Sequence, residues 1–233
     1  MDNRKLESFA QEARRQLIDQ IKQKAYQYGI TEEKIIEPEV NSDNELVING
    51  IKLDQDKRQK RLAFIQKLDR KNYKNSYNQL IEEVAYTWFN RLTAIRYLEV
   101  NNYFDHGIRV LSTQESGKRT PDIVENALKM DLDLTRDEYY GMLDNLKDDD
   151  IFRELLILQC NKLNEILPFM FPKENDYTEL LLPDNLLETD SIISKLVKVG
   201  EENFKNIEVI GWLYQYYISE LKDKNISKKS KKE

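Results

Sequence analysis

The stretch from Ser76 to Asn101 constrains the fold more than any other part of this sequence. Leu80, Ile81, Val84, Ala85, Trp88, Phe89, Leu92, Ile95 and Leu98 recur at three- and four-residue spacing. The resulting stripe is too wide to be covered by a single neighbour, so the spacing predicts a long helix buried on several sides at the centre of the fold. A second stripe, Leu6, Phe9, Ala10, Ala13, Leu17 and Ile21, predicts an N-terminal helix to about Tyr28, closed by Gly29. Seven Gly and five Pro in 233 residues leave little to interrupt such helices.

The one strong β signal is Leu46-Val47-Ile48, Asn49-Gly50, Ile51-Lys52-Leu53. Asn-Gly accepts the positive φ angles of a tight hairpin turn. The expected class is therefore all-α, mainly helical, with one small β-hairpin near residues 45–53. Thr31 followed by Glu32 to Lys34 reads as a short helix stopped by Pro38. A basic helix is expected from Asp54 to about Lys71 with Leu62, Ile65 and Leu68 facing inward. A short helix starts at Pro121, another lies within residues 131–150, and a longer one runs from Asp150 to Leu167. Ser191 caps a short helix, and a last helix covers Ile207 to Leu221. The organisation expected is an N-terminal helix and hairpin (1–54), a helical domain (55–222) and a disordered basic tail (223–233).

The net charge of −6 is unevenly spread. Residues 57–74 hold eight Lys or Arg against Asp69 alone, and residues 131–150 hold eight acids against Arg136 and Lys147. Poles of opposite sign are expected. Lys57, Arg58, Lys60, Arg61, Lys67, Arg70, Lys71 and Lys74 span more than four helical turns with Tyr73 and Tyr77 at their end, a pattern suited either to a phosphate backbone or to an ordinary wet helix face.

Catalytic arrangements are missing. No two glycines stand two residues apart, which removes the turns that bring backbone close to a dinucleotide or to S-adenosylmethionine, and there is no P-loop. No proline follows a proline, so the motif that holds a flipped adenine is missing too. Cys160 is the single cysteine and sits in an apolar run, where it reads as core; with His106 the single histidine, no thiolate or histidine metal set can form. Paired carboxylates such as Glu82-Glu83 read as solvated. His106, in Asp105-His106-Gly107, reads as a turn histidine, or with Arg109 as part of an anion contact. Arg91, Arg96 and Arg109 lie in apolar surroundings and must find a carboxylate, such as Glu99 or Asp105, or a phosphate or partner surface. No signal peptide or membrane span is apparent, which makes a cytoplasmic protein the expectation.

Four stretches carry a family resemblance in order: EEVAYTWFNRLTAIRYLEVNNYFDHGIRVLS (82–112), FRELLILQCNKLNEILPFMF (152–171), ELLLPDNLLETDSI (179–192) and EVIGWLYQYYISELKD (208–223). They resemble the region upstream of the catalytic core in the PglX family, the adenine-specific DNA methyltransferases of BREX phage-defence, restriction-modification systems. The resemblance implies a parent enzyme that uses S-adenosylmethionine, while the fragment itself carries no cofactor and none of the family's catalytic residues. It implies DNA, the methyltransferase catalytic domain and other defence-complex proteins as partners. Two functions follow as expectations: a helical N-terminal domain that assists DNA binding or assembly, or a protein-interaction module that docks on the methyltransferase core without touching DNA. An enzyme of unknown chemistry is the third and least supported.

Overall fold

In a computed structural model, residues 2–172 and 177–229 are described, the last ten by backbone alone. The fold is mainly helical. Helix α1 (Asn3–Gln27) starts on Asp2, whose carboxylate accepts from the Lys5 amide. It ends in paired bonds, Ile30 N to Ala25 O and Gly29 N to Tyr26 O, with Gly29 at φ 71°. This is the Schellman closure that a left-handed glycine permits.

The chain then departs from expectation. No helix forms after Thr31; its hydroxyl instead accepts from the Glu33 and Lys34 amides, and Ile30 bridges to Ile35. A serine- or threonine-type turn competes with a helix start at such a position. The expected hairpin is present as β2 (Leu46–Ile48) and β3 (Ile51–Lys52), preceded by a short strand β1 (Glu39–Val40) that pairs with β2. Asn49 and Gly50 are both left-handed, as the turn demands. The Asn49 amide also donates to the Tyr26 carbonyl, so the hairpin caps the end of α1.

Ile48 is buried against Gly29, where an added Cβ would collide with the Ile48 side chain and lie 2.9 Å from the Ile36 carbonyl; at Gly50 it would meet nothing. Gly29→Ala is therefore expected to lower the unfolding free energy by about 2 kcal/mol or more, and Gly50→Ala by about 1, from left-handed strain alone. Urea denaturation of the two variants side by side checks this.

Helix α2 (Gln55–Gln66) is capped by Asp54 and is shorter than expected. A 3₁₀ turn (Arg70–Asn72) separates it from α3 (Tyr73–Val100). Its buried residues are Arg61 and Phe64, so Leu62 points outward, correcting its inward assignment. Helix α3 is the centre of the fold. Every residue from Arg91 to Arg96 is buried, and the helix packs on α1 and on three later helices. After it come α4 (Asp122–Asn126), α5 (Arg136–Asn145), α6 (Asp148–Leu163), α7 (Tyr177–Leu180), α8 (Ile192–Lys198) and α9 (Glu208–Lys229). α5 opens with a capping box between Thr135 and Glu138, and Ser191 caps α8.

One apolar core runs from Leu6 through Ile48 and Trp88 to Tyr217, so α1 and the small sheet share it with α3 and α9. α9 continues past Leu221 to Lys229, so residues 223–229, expected as part of a disordered tail, are helical; the rest of that tail, 230–233, lies outside the described residues. No described helix is long and apolar enough to cross a membrane.

Candidate nucleic-acid interface

The eight cations of residues 57–74 do not form one continuous stripe, because the fold uses several of them internally. Arg61 is buried. Its Nε donates to the Tyr28 carbonyl at 2.9 Å and its Nη2 to the Ile36 carbonyl at 2.6 Å, which ties α2 to the segment after α1. Burial lowers its pKa, and carbonyl partners rather than a phosphate satisfy the charge. Lys60 lies 2.8 Å from both Asp56 and the buried Glu179; burial opposes its charge, but these carboxylates outweigh the penalty and its pKa is raised. Lys57 closes back on Asp54 at 2.7 Å, which raises its pKa.

What remains outward is Arg58 near the start of α2 and a group of four from the end of α2 to the start of α3. Arg58, Lys67, Arg70, Lys71 and Lys74 are exposed. The Arg58 Nε donates to the Asp54 carbonyl, Lys67 stands 5.1 Å over the Tyr177 ring, and Lys74 lies 3.5 Å from Glu32. Among the described residues no carboxylate reaches Arg70 or Lys71. Of these only Lys67, the C-cap of α2, sits at the carbonyl end of an α-helix, where positive charge is favoured.

The arginines of the central block are structural. Arg91 donates to the Thr178 hydroxyl at 3.0 Å and lies 5.0 Å from the Trp88 ring. Arg96 donates to Glu99 at 2.5 Å and to the Ser112 hydroxyl at 3.0 Å. Glu99 is 2% exposed and also accepts from the Ser112 hydroxyl and from the amides of Val110 and Leu111, the last two at 2.8 Å each. One carboxylate thus fixes the path of the chain after α3. Arg109 pairs with Glu201 at 3.1 Å, not with Asp105.

His106 accepts the Ile108 amide at Nδ1 and stacks on Phe104, and burial lowers its pKa, a turn histidine that accepts from backbone rather than donating to it. Cys160 is buried, as expected.

Internal cations that escaped the sequence reading include Arg14 and Arg153. Arg14 is fully buried and pairs with Glu82 beneath the Tyr217 ring. Arg153 donates to the carbonyls of Leu182, Pro183 and Glu179, clamping the segment between α7 and α8. Neither leaves a local sequence signal, since both partners are remote in the chain. A half-open pocket of about 330 Å³ lies between residues 111–121 and 186–198, lined in part by Lys118 and Arg119.

Against known proteins, no model of a protein family matches the chain. It is 37% identical, over 100% of its own length, to the adenine-specific methyltransferase BrxX of Escherichia coli O9:H4 (strain HS), and 37% identical, over 98% of its length, to the adenine-specific methyltransferase PglX of Lacticaseibacillus casei (strain Zhang). The chain is similar to a stretch of adenine-specific methyltransferases along its whole length. It spans about a fifth of these relatives, 20% of BrxX and 21% of PglX.

The residues present do not suit S-adenosylmethionine. The left-handed glycines Gly29, Gly50, Gly107, Gly117 and Gly200 each stand alone in a turn, and the three-stranded sheet is antiparallel, so no strand-to-helix glycine loop exists among the described residues to approach a cofactor. Nor does any described group of three His, Cys, Asp or Glu side chains cluster as metal ligands.

Proposed function

We propose that this chain is the N-terminal helical domain of a BREX-type adenine-specific DNA methyltransferase, non-catalytic in itself, which helps the cytoplasmic parent enzyme hold DNA. S-adenosylmethionine belongs to the parent's catalytic part. The observation that carries the DNA role is the run of exposed cations Arg58, Lys67, Arg70, Lys71 and Lys74, of which Arg70 and Lys71 have no carboxylate neighbour among the described residues. Cations already paired inside a fold gain little from a phosphate, whereas solvated ones release the counterions that DNA has condensed.

Support of a different kind comes from the similarity to enzymes named for acting on adenine. Binding is expected in the sequence-independent range, a Kd of about 10⁻⁴ to 10⁻⁶ M at physiological salt. The experiment compares binding of a fluorescent duplex by the chain, by a variant with Arg58, Lys67, Arg70, Lys71 and Lys74 changed to Glu, and by a variant with Lys57 and Lys60 changed to Gln. Binding lost in the first variant and nearly retained in the second is the expected result. Equal binding by all three overturns the assignment. A chain that binds no duplex even at low salt leaves protein docking as its role.

A further inference from the structure

Helix α5 is an unusual surface element. Of its ten residues only Tyr139 is buried, while Tyr140 and Leu143 are exposed one turn apart and Leu146 is exposed at its end. Tyr140 and Leu143 meet water, while Tyr139 and the partly buried Met142 face the core. The Lys162–Asp131 ion pair of 2.7 Å fastens the segment leading into α5 to the last turn of α6. Just beyond that turn stand Ile166 and Phe169, 75% and 80% exposed, the two most exposed of the large apolar side chains among the described residues. Large aromatic and aliphatic groups left in water at this density mark a docking face.

The charge around this face says what kind of partner suits it. Along the chain Asp131, Asp137, Glu138, Asp144 and Asp148 flank the exposed residues of α5 against Arg136 and Lys147, and the Thr135–Glu138 box holds the start of α5. An acidic rim repels DNA and a second copy of the same face alike, and favours a basic partner with apolar sockets. The relatives are about five times as long as this chain; read as part of such an enzyme, the chain would meet the rest of one polypeptide at high effective concentration.

We infer that the α5 face, with Ile166 and Phe169, docks on a basic surface of the remaining part of the methyltransferase polypeptide. The inference rests on the reading of the chain as part of such an enzyme. It assigns the two poles different tasks: the cations after α2 meet phosphate, and the acidic α5 face meets protein.

Hydrogen exchange tests it. The probe is a chimera in which this chain replaces the matching fifth of Escherichia coli BrxX, compared with the chain alone. Amides of residues 136–146 and 164–171 should exchange at least about tenfold more slowly in the chimera. That protection should vanish in a chimera carrying Tyr140→Ser, Leu143→Ser and Phe169→Ser, and persist in one carrying Tyr103→Ser, an exposed residue elsewhere. Since the three residues are exposed, the chain alone should melt unchanged with the same substitutions, which separates lost docking from lost folding.

Equal exchange in chimera and chain overturns the inference, as does protection already present in the chain alone as a dimer, or protection brought by duplex DNA. S-adenosylmethionine binding by the chimera separates two failures. Equal exchange with that binding at the level of BrxX removes the docking face only; equal exchange with the binding lost removes the reading of the chain as part of the enzyme too.

Discussion

Changing Glu99 to Ala is expected to cost about 3–5 kcal/mol of unfolding free energy, the range for removing one partner of a buried ion pair. Four donors converge on this carboxylate: Arg96, the Ser112 hydroxyl and the amides of Val110 and Leu111. Without it Arg96 keeps the Ser112 hydroxyl and, as counter-charge, only the distant Glu201 at 3.8 Å, and two buried amides lose their acceptor. Each unsatisfied group carries its own desolvation penalty. Glu99→Gln should also fail, because an amide nitrogen would face donors where an acceptor is needed. A combined Arg96→Met, Glu99→Leu variant should lose less than Glu99→Ala, since no charge is stranded. In a chain of this size the single change corresponds to a melting point lower by roughly 6–20 °C. Thermal unfolding followed by circular dichroism decides. A Glu99→Ala protein as stable as the parent would show that the network orders nothing.

Trp88→Ala should be comparably damaging, about 3–5 kcal/mol for the cavity alone. Trp88 is fully buried, its indole Nε1 donates to the Thr178 carbonyl at 2.7 Å, and Arg91 lies over its ring. The substitution empties the centre of α3, leaves a buried carbonyl without its donor and removes the face on which a buried guanidinium rests. Trp88→Phe keeps an aromatic ring but loses the donor and part of the volume, so about 1–3 kcal/mol is expected. Urea denaturation should order the three proteins parent, Phe, Ala. A near-neutral Trp88→Ala would mean that α7 does not pack on α3 as described.

Much of this fold is legible in the sequence because the signals are local. The central helix shows in the spacing from Leu80 to Leu98, the hairpin in Asn49-Gly50 and the start of α8 in Ser191. What is not legible depends on contacts far apart in the chain. Arg61 looks like its neighbours in a basic helix, and only the carbonyls of Tyr28 and Ile36 turn it inward and Leu62 outward. Strand β1 has two exposed residues and forms because β2 offers an edge. Thr31 carries a helix-start signature, yet a local turn uses its hydroxyl instead. In the candidate interface the charge run was visible from the sequence, but not which of its members the fold keeps for itself. That division follows from Asp54, Asp56 and Glu179, and Glu179 lies more than a hundred residues away from Lys60.

The most direct test of the DNA-holding role is the salt dependence of duplex binding. Five solvated cations that each displace a condensed counterion give a slope of log K against log salt of about −4 to −5, and replacing Arg70 and Lys71 by Gln should bring it to about −3. A slope near zero, or one left unchanged by those two substitutions, would contradict the account and move this patch out of any contact with DNA.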